Sequence, residues 1–159
     1  MTDHDFTIGF IGLGNMGRPM TTRLAGAGHR LLLLDIDQAL TESLAQSLGQ
    51  QAAASAAALG AACDVVITML PDGRTVRRVL LGEADDGSGG VAGSLKKGAV
   101  IIDMSSSSPV GTRELGERLA KMDIRLVDAP VSGGVRRAVD GTLAIMVGGD
   151  PDAIDAVRP

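Results

Sequence analysis

Gly9-Phe10-Ile11-Gly12-Leu13-Gly14-Asn15-Met16-Gly17-Arg18-Pro19-Met20 leaves a short apolar run, crosses three glycines and enters a stretch with helical character. Phe6–Ile11 is predicted as a strand, and about Met16 to Ala27 as a helix, with Gly26 and Gly28 punctuating its end. Gly12, Gly14 and Gly17 fit the pattern G-x-G-x-x-G between strand and helix, the context that gives the pattern meaning. Gly12 permits a tight turn, Gly14 lets a pyrophosphate approach the backbone, and Gly17 lets the helix pack closely on the strand. With Leu13, Asn15 and Met16 they form a loop whose N–H groups, at a helix start, face negative charge. A plain glycine turn is the competing reading.

Leu31–Leu34 is an uninterrupted apolar run, as expected for a strand covered on both faces, and it ends at Asp35, 18 residues past Gly17. A carboxylate there accepts hydrogen bonds from the ribose hydroxyls of NAD and repels the 2′-phosphate of NADP. Ile36-Asp37-Gln38 supplies no Arg to compensate, so NAD is the expected cofactor; Asp35 could alternatively cap the next helix.

Strand and helix continue to alternate. Gln38–Leu48 places Leu40, Leu44 and Leu48 on one helical face, and Ala52–Ala62 is predicted as a close-packed alanine helix. Val65–Leu70 is a strand, and Pro71-Asp72-Gly73 turns it into a helix through Leu81. Glu83–Ser94 is predicted as a flexible surface loop, and Ala99–Asp103 as a strand. A serine from Ser105–Ser108 caps a helix with Pro109 at its first position, running to about Lys121. Ile124–Asp128 and Leu143–Val147 are predicted strands separated by the glycine-containing stretch Val131–Gly141, and Asp150-Pro151 opens a last helix. The order predicts an α/β fold: a Rossmann-type, doubly wound, mostly parallel sheet, read as one dinucleotide-binding domain over residues 1–159.

Composition narrows the function. The chain has 159 residues, 45% of them hydrophobic, and a formal net charge of −4, so a buried core is expected and polyanion binding is not. Two phenylalanines with no Trp or Tyr give no stacking platform for single-stranded nucleic acid. Cys63 is alone, which excludes an intrachain disulfide and a cysteine metal cage; no metal site is expected. No apolar run approaches the roughly 18 residues of a membrane span, and Met1–Asp5 is acidic, unlike a signal peptide. A cytoplasmic protein without membrane contact is expected.

The stretch Gly9–Met20 resembles the opening signature of the β-hydroxyacid dehydrogenases, the family of 3-hydroxyisobutyrate dehydrogenase and tartronate semialdehyde reductase. A second block, Asp128-Ala129-Pro130-Val131-Ser132-Gly133-Gly134, resembles the family's substrate-binding segment. Met69-Leu70-Pro71 and Asp103-Met104-Ser105-Ser106 sit where the family has cofactor loops. The resemblance implies that Leu70, Pro71 and Thr75 contact the cofactor and that Ser106 touches its nicotinamide half, although helix capping explains the serine run equally well. It also implies that Ser132, Gly133 and Gly134 hold the substrate's carboxylate and hydroxyl. Two glycine N–H groups and a hydroxyl beyond a parallel strand make a compact anion receptor in any case.

The family's proton-transfer lysine belongs to a block opening a second, helical domain, and no such block occurs in this sequence. The resemblance thus implies a cofactor-binding portion without the helical C-terminal domain, inactive alone, and a homo-oligomer in the full-length protein. Lys96, Lys97 and Lys121 precede strands, His29 follows the first helix, and His4 lies in the leading tail, all away from the expected crevice. A non-catalytic NAD-binding module is one alternative. Another is a relative of 6-phosphogluconate dehydrogenase or the imine reductases; Asp35 opposes the NADP preference common there, while Arg136 and Arg137 could serve a phosphorylated substrate.

Overall fold

The computed structural model describes residues 6–158; His4 and the acidic Met1–Asp5 leader lie outside them. Strands β1 (Thr7–Ile11), β2 (Arg30–Leu34), β3 (Gln51–Ala52), β4 (Val65–Thr68), β5 (Val100–Asp103) and β6 (Arg125–Asp128) pair in parallel. Their spatial order is 3-2-1-4-5-6, and a short antiparallel strand, β9 (Gly148–Gly149), pairs with β6. The order reverses between β1 and β4, so connections leave that point in opposite directions and open a crevice above the strand ends. This is the doubly wound sheet the alternation predicts.

Alternation along each strand divides the core between two faces. On one, Ile8, Phe10, Leu31, Leu33, Ile67 and Val127 pack with α1 (Gly17–Gly26), α2 (Gln38–Leu48), α6 (Gly134–Asp140) and α7 (Pro151–Val157). On the other, Ile11, Leu32, Val66 and Ile101 meet α3 (Ala56–Ala62), α4 (Gly73–Leu81) and α5 (Pro109–Ala120). Phe10 is fully buried, a contribution of about 1.5–3 kcal/mol for a side chain of that kind. Side chains cap the starts of three of these helices as the sequence indicates: Asp72 accepts from the Thr75 N–H, Ser108 from Gly111, and Asp150 from Asp152.

Three expectations need correction. The alanine segment is not one helix: Gln51–Ala52 adds a strand beside β2, the Ala53 N–H donates to the Leu33 carbonyl at 2.8 Å, and Ser55 caps a shorter helix. Pairing with an open strand edge outweighs alanine's helical preference, a weak prior. The 83–94 connection is not simply a surface loop: Val91 and Ala92 are buried, a 3-10 turn forms at Ala92–Ser94, and Asp85 is fastened by Arg77 and Arg118.

Leu143–Val147 does not join the seven-stranded sheet. Only Ala144–Ile145 (β8) pairs, antiparallel, with Val131–Ser132 (β7), leaving Ile145, Met146 and Val147 about half exposed. The preceding glycine-containing stretch holds α6. Gly133 and Gly134, with φ of 131° and 64°, make the turn into that helix, and Gly141 ends it in a left-handed conformation. The glycines of this stretch mark the helix's two ends.

Candidate functional site

At the end of β1 the Gly12 N–H donates to the Leu34 carbonyl at 3.0 Å, and φ at Gly12 is +99°. A Cβ at Gly12 would run into the Met69 carbonyl oxygen, and one at Gly17 into the Gly12 carbonyl oxygen. Those two glycines therefore close the turn and seat α1 on β1. Gly14 differs: a Cβ there would meet nothing within 4 Å. Its backbone is exposed, and Met16 gives α1 no side-chain cap, whereas Asp37, Ser55, Asp72, Ser108 and Asp150 cap five of the other helices. Open space, an uncapped helix start and no acidic residue in its first turn together suit a diphosphate. The glycine cradle fits a dinucleotide.

Asp35 sits half-buried just past β2. Its Oδ2 accepts from the Leu13 N–H at 2.7 Å and its Oδ1 from the Asp37 N–H at 3.0 Å. The cap of α2 is Asp37, which accepts from the Leu40 N–H, so Asp35 is not the capping residue. A carboxylate offers about four lone-pair directions, and two backbone bonds leave capacity for two ribose hydroxyls.

The loops after β4 and β5 meet beside this crevice. The Met69 N–H donates to the Ile11 carbonyl at 2.9 Å, and the Leu70 N–H donates to Ser105 Oγ at 2.9 Å. Pro71 is exposed. Thr75 lies on the first turn of α4, where its N–H holds Asp72 and keeps that carboxyl below its ordinary range. Ser106 is exposed and lines a cleft of about 430 Å³ between the starts of α4 and α5; capping falls to Ser108.

Ser132, Gly133 and Gly134 are exposed beyond β6, and no side chain caps α6 at Gly133. Asp128, at the end of β6, is pushed above the ordinary carboxylate range, first by burial and then by the charge of Asp103 on the adjacent strand. The sequence-predicted positions thus gather at one edge of the sheet, past the C-terminal ends of β1, β2, β4, β5 and β6. Lys96 pairs with Asp64 just before β4 at 3.2 Å, Lys121 follows α5 ahead of β6, and exposed His29 precedes β2. All three belong to the opposite edge.

The sequence placed Asp103 in a cofactor-loop block and Ser107 in a capping run but did not show that, with Thr68, they join in a buried network. The Thr68 hydroxyl donates to Asp103 Oδ1 at 2.9 Å, and the Ser107 hydroxyl to Oδ2 at 2.9 Å. An aspartate closing an apolar strand was the available signal. No helix among the described residues is long and apolar enough to cross a membrane.

Comparison with known proteins places this geometry. Residues 7–159 match the family model of the NAD binding domain of 6-phosphogluconate dehydrogenase. The chain is 43% identical over 152 residues to 2-hydroxy-3-oxopropionate reductase of Escherichia coli, covering 96% of this chain and 50% of that protein. It is 38% identical over 152 residues to the NAD-dependent L-serine dehydrogenase of Pseudomonas aeruginosa, covering 96% and 49%. A solved structure of Mycobacterium tuberculosis 3-hydroxyisobutyrate dehydrogenase with L-serine superposes with a TM-score of 0.85 at 40% identity, covering 97% of this chain and 50% of that one. The chain spans about half the length of the curated relatives it matches. It belongs to the family of the NAD-binding domain of 6-phosphogluconate dehydrogenase, among the β-hydroxyacid dehydrogenases.

Proposed function

We propose that residues 1–159 form one dinucleotide-binding domain, the cofactor-binding portion of an NAD-dependent oxidoreductase of small 3-hydroxy acids. The observation that carries this reading is the contrast among the loop glycines: Gly12 and Gly17 are filled by backbone, while Gly14 opens onto space at an uncapped helix start. Gly12–Gly17 would hold the diphosphate, Asp35 the adenosine ribose, and Leu70, Pro71, Thr75 and Ser106 the remainder. NAD, when bound, supplies the hydride acceptor for alcohol oxidation.

The chain's own residues would then hold and orient the substrate. Ser132 and the N–H groups of Gly133 and Gly134 receive its carboxylate next to the cofactor crevice. Relatives named for 2-hydroxy-3-oxopropionate, L-serine and 3-hydroxyisobutyrate support a compact carboxylate carrying a 3-oxygen. The alcohol proton needs an acceptor. The described lysines and histidine lie at the other sheet edge, so that group is expected outside these residues, and the 159 residues alone bind cofactor without turnover.

Calorimetric titration of the purified chain with NADH tests the cofactor assignment: saturable one-site binding is expected. Heat indistinguishable from dilution at millimolar NADH rejects it.

A further inference from the structure

Asp103 is 1% exposed, and no ion pair reaches it among the described residues. A buried carboxylate without a cation is costly, and an apolar residue like its neighbours Ile101 and Ile102 would continue the strand more cheaply. What the carboxylate does is join two loops. Its Oδ1 accepts from the Thr68 hydroxyl at 2.9 Å and from the Ser105 N–H at 3.0 Å; its Oδ2 accepts from the Ser107 hydroxyl at 2.9 Å. Ser105 Oγ in turn accepts from the Leu70 N–H at 2.9 Å, and the Met104 N–H donates to the Thr68 carbonyl at 2.9 Å. The loop after β4 is thereby stitched to the loop after β5.

The stitched residues include or adjoin those assigned to the cofactor. Thr68 and Leu70 lead directly into Pro71, and Ser105 and Ser107 flank Ser106. We propose that Asp103 is a positioning residue: through Thr68, Ser105 and Ser107 it fixes the two loops that receive the nicotinamide half of the cofactor. This rests on the cofactor reading above. The half bound by Gly12–Gly17 and Asp35 is supported separately, by bonds from Leu13 and Asp37 that do not involve Asp103.

That separation sets the test. NADH and ADP are titrated against wild type, Asp103→Ala, Asp103→Asn and Ser105→Ala, with melting curves for each. Asp103→Ala leaves two hydroxyls and an N–H without their acceptor, so NADH is expected to bind about tenfold more weakly while ADP stays within about twofold. Asparagine keeps Oδ1 for Thr68 and Ser105 and can donate to Ser107, whose hydroxyl turns to accept. Asp103→Asn therefore restores NADH affinity to within about twofold of wild type. Ser105→Ala, which frees only the Leu70 N–H, weakens NADH about threefold and carries the comparison if Asp103→Ala does not fold.

Unchanged NADH affinity in both Asp103→Ala and Ser105→Ala overturns the inference. So does equal loss of NADH and ADP, which is the mark of general destabilisation, and so does an asparagine variant as weak as alanine. Wild-type chain that binds neither probe overturns the cofactor reading itself; wild type that binds both, with no NADH-specific loss in the variants, overturns only the role of Asp103.

Discussion

Replacing Gly14 and Gly17 in turn separates cofactor binding from folding within one six-residue loop. Gly14→Val adds three carbons where a Cβ has no neighbour within 4 Å, and φ at Gly14 lies outside the left-handed region. Stability should change by no more than about 0.5 kcal/mol, a melting shift of about 2 °C or less. The valine nevertheless stands where the diphosphate would approach. Clash costs of about 1–3 kcal/mol, together with the loss of even one charge-assisted bond of about 1.5–3 kcal/mol, predict NADH binding weaker by about 100-fold or more at all but the lowest of these values, 100-fold being about 2.8 kcal/mol. Gly17→Ala adds one carbon, but against backbone. Beyond the Gly12 oxygen, its Cβ would lie 2.8 Å from the Gly12 carbonyl carbon and 3.3 Å from Phe10 Cε1. Strand and helix must separate, at a cost of about 2–3 kcal/mol that helix propensity offsets by less than about 1. A melting temperature lower by about 4–8 °C follows. NADH fluorescence titration and thermal melts on the same preparations measure both quantities. A Gly14→Val protein that folds and binds NADH at wild-type strength refutes the phosphate cradle; a Gly17→Ala protein as stable as wild type refutes the packing role.

Three further outcomes are expected. NAD should bind about 10- to 100-fold more tightly than NADP, because the Asp35 carboxylate meets an added phosphate as a like charge; Asp35→Ala should erase the preference and, by freeing the Leu13 N–H, weaken both cofactors. Equal NAD and NADP affinities in the wild type would sink that assignment. The isolated chain should bind NADH yet show no oxidation of 3-hydroxyisobutyrate, since a positioned acid or base contributes about 10²–10⁴-fold; robust turnover, free of host enzyme, would reveal a base among these residues. Asp128 holds its proton to higher pH in the folded state than in the unfolded chain, so its contribution is present below about pH 4 and lost as pH rises through its raised folded value. Asp128→Asn should therefore be more stable than wild type at pH 7, with the gap closing towards pH 4; melts showing the same difference at both pH values would contradict this.

Local rules made much of the fold legible in the residues. Uninterrupted apolar runs such as Leu31–Leu34 become the central parallel strands because both of their faces are covered by helices. Asp72, Ser108 and Asp150 start helices through bonds to N–H groups two or three residues away, which depend on nothing distant. The loop Gly12–Gly17 was legible for the same reason, its spacing being dictated by one turn. Where local preference is weak, the partner across space decides: Gln51–Ala52 becomes a strand because β2 offers an edge, while of Leu143–Val147 only Ala144–Ile145 pairs, with β7, and the pairing with β6 falls to Gly148–Gly149. Asp103 shows the limit most clearly. Thr68 is 35 residues away along the chain, as Ser105 is from Leu70, and only the parallel pairing of β4 with β5 brings those polar atoms into one buried network. Residue types determined which groups could bond; the register of the sheet determined which of them do.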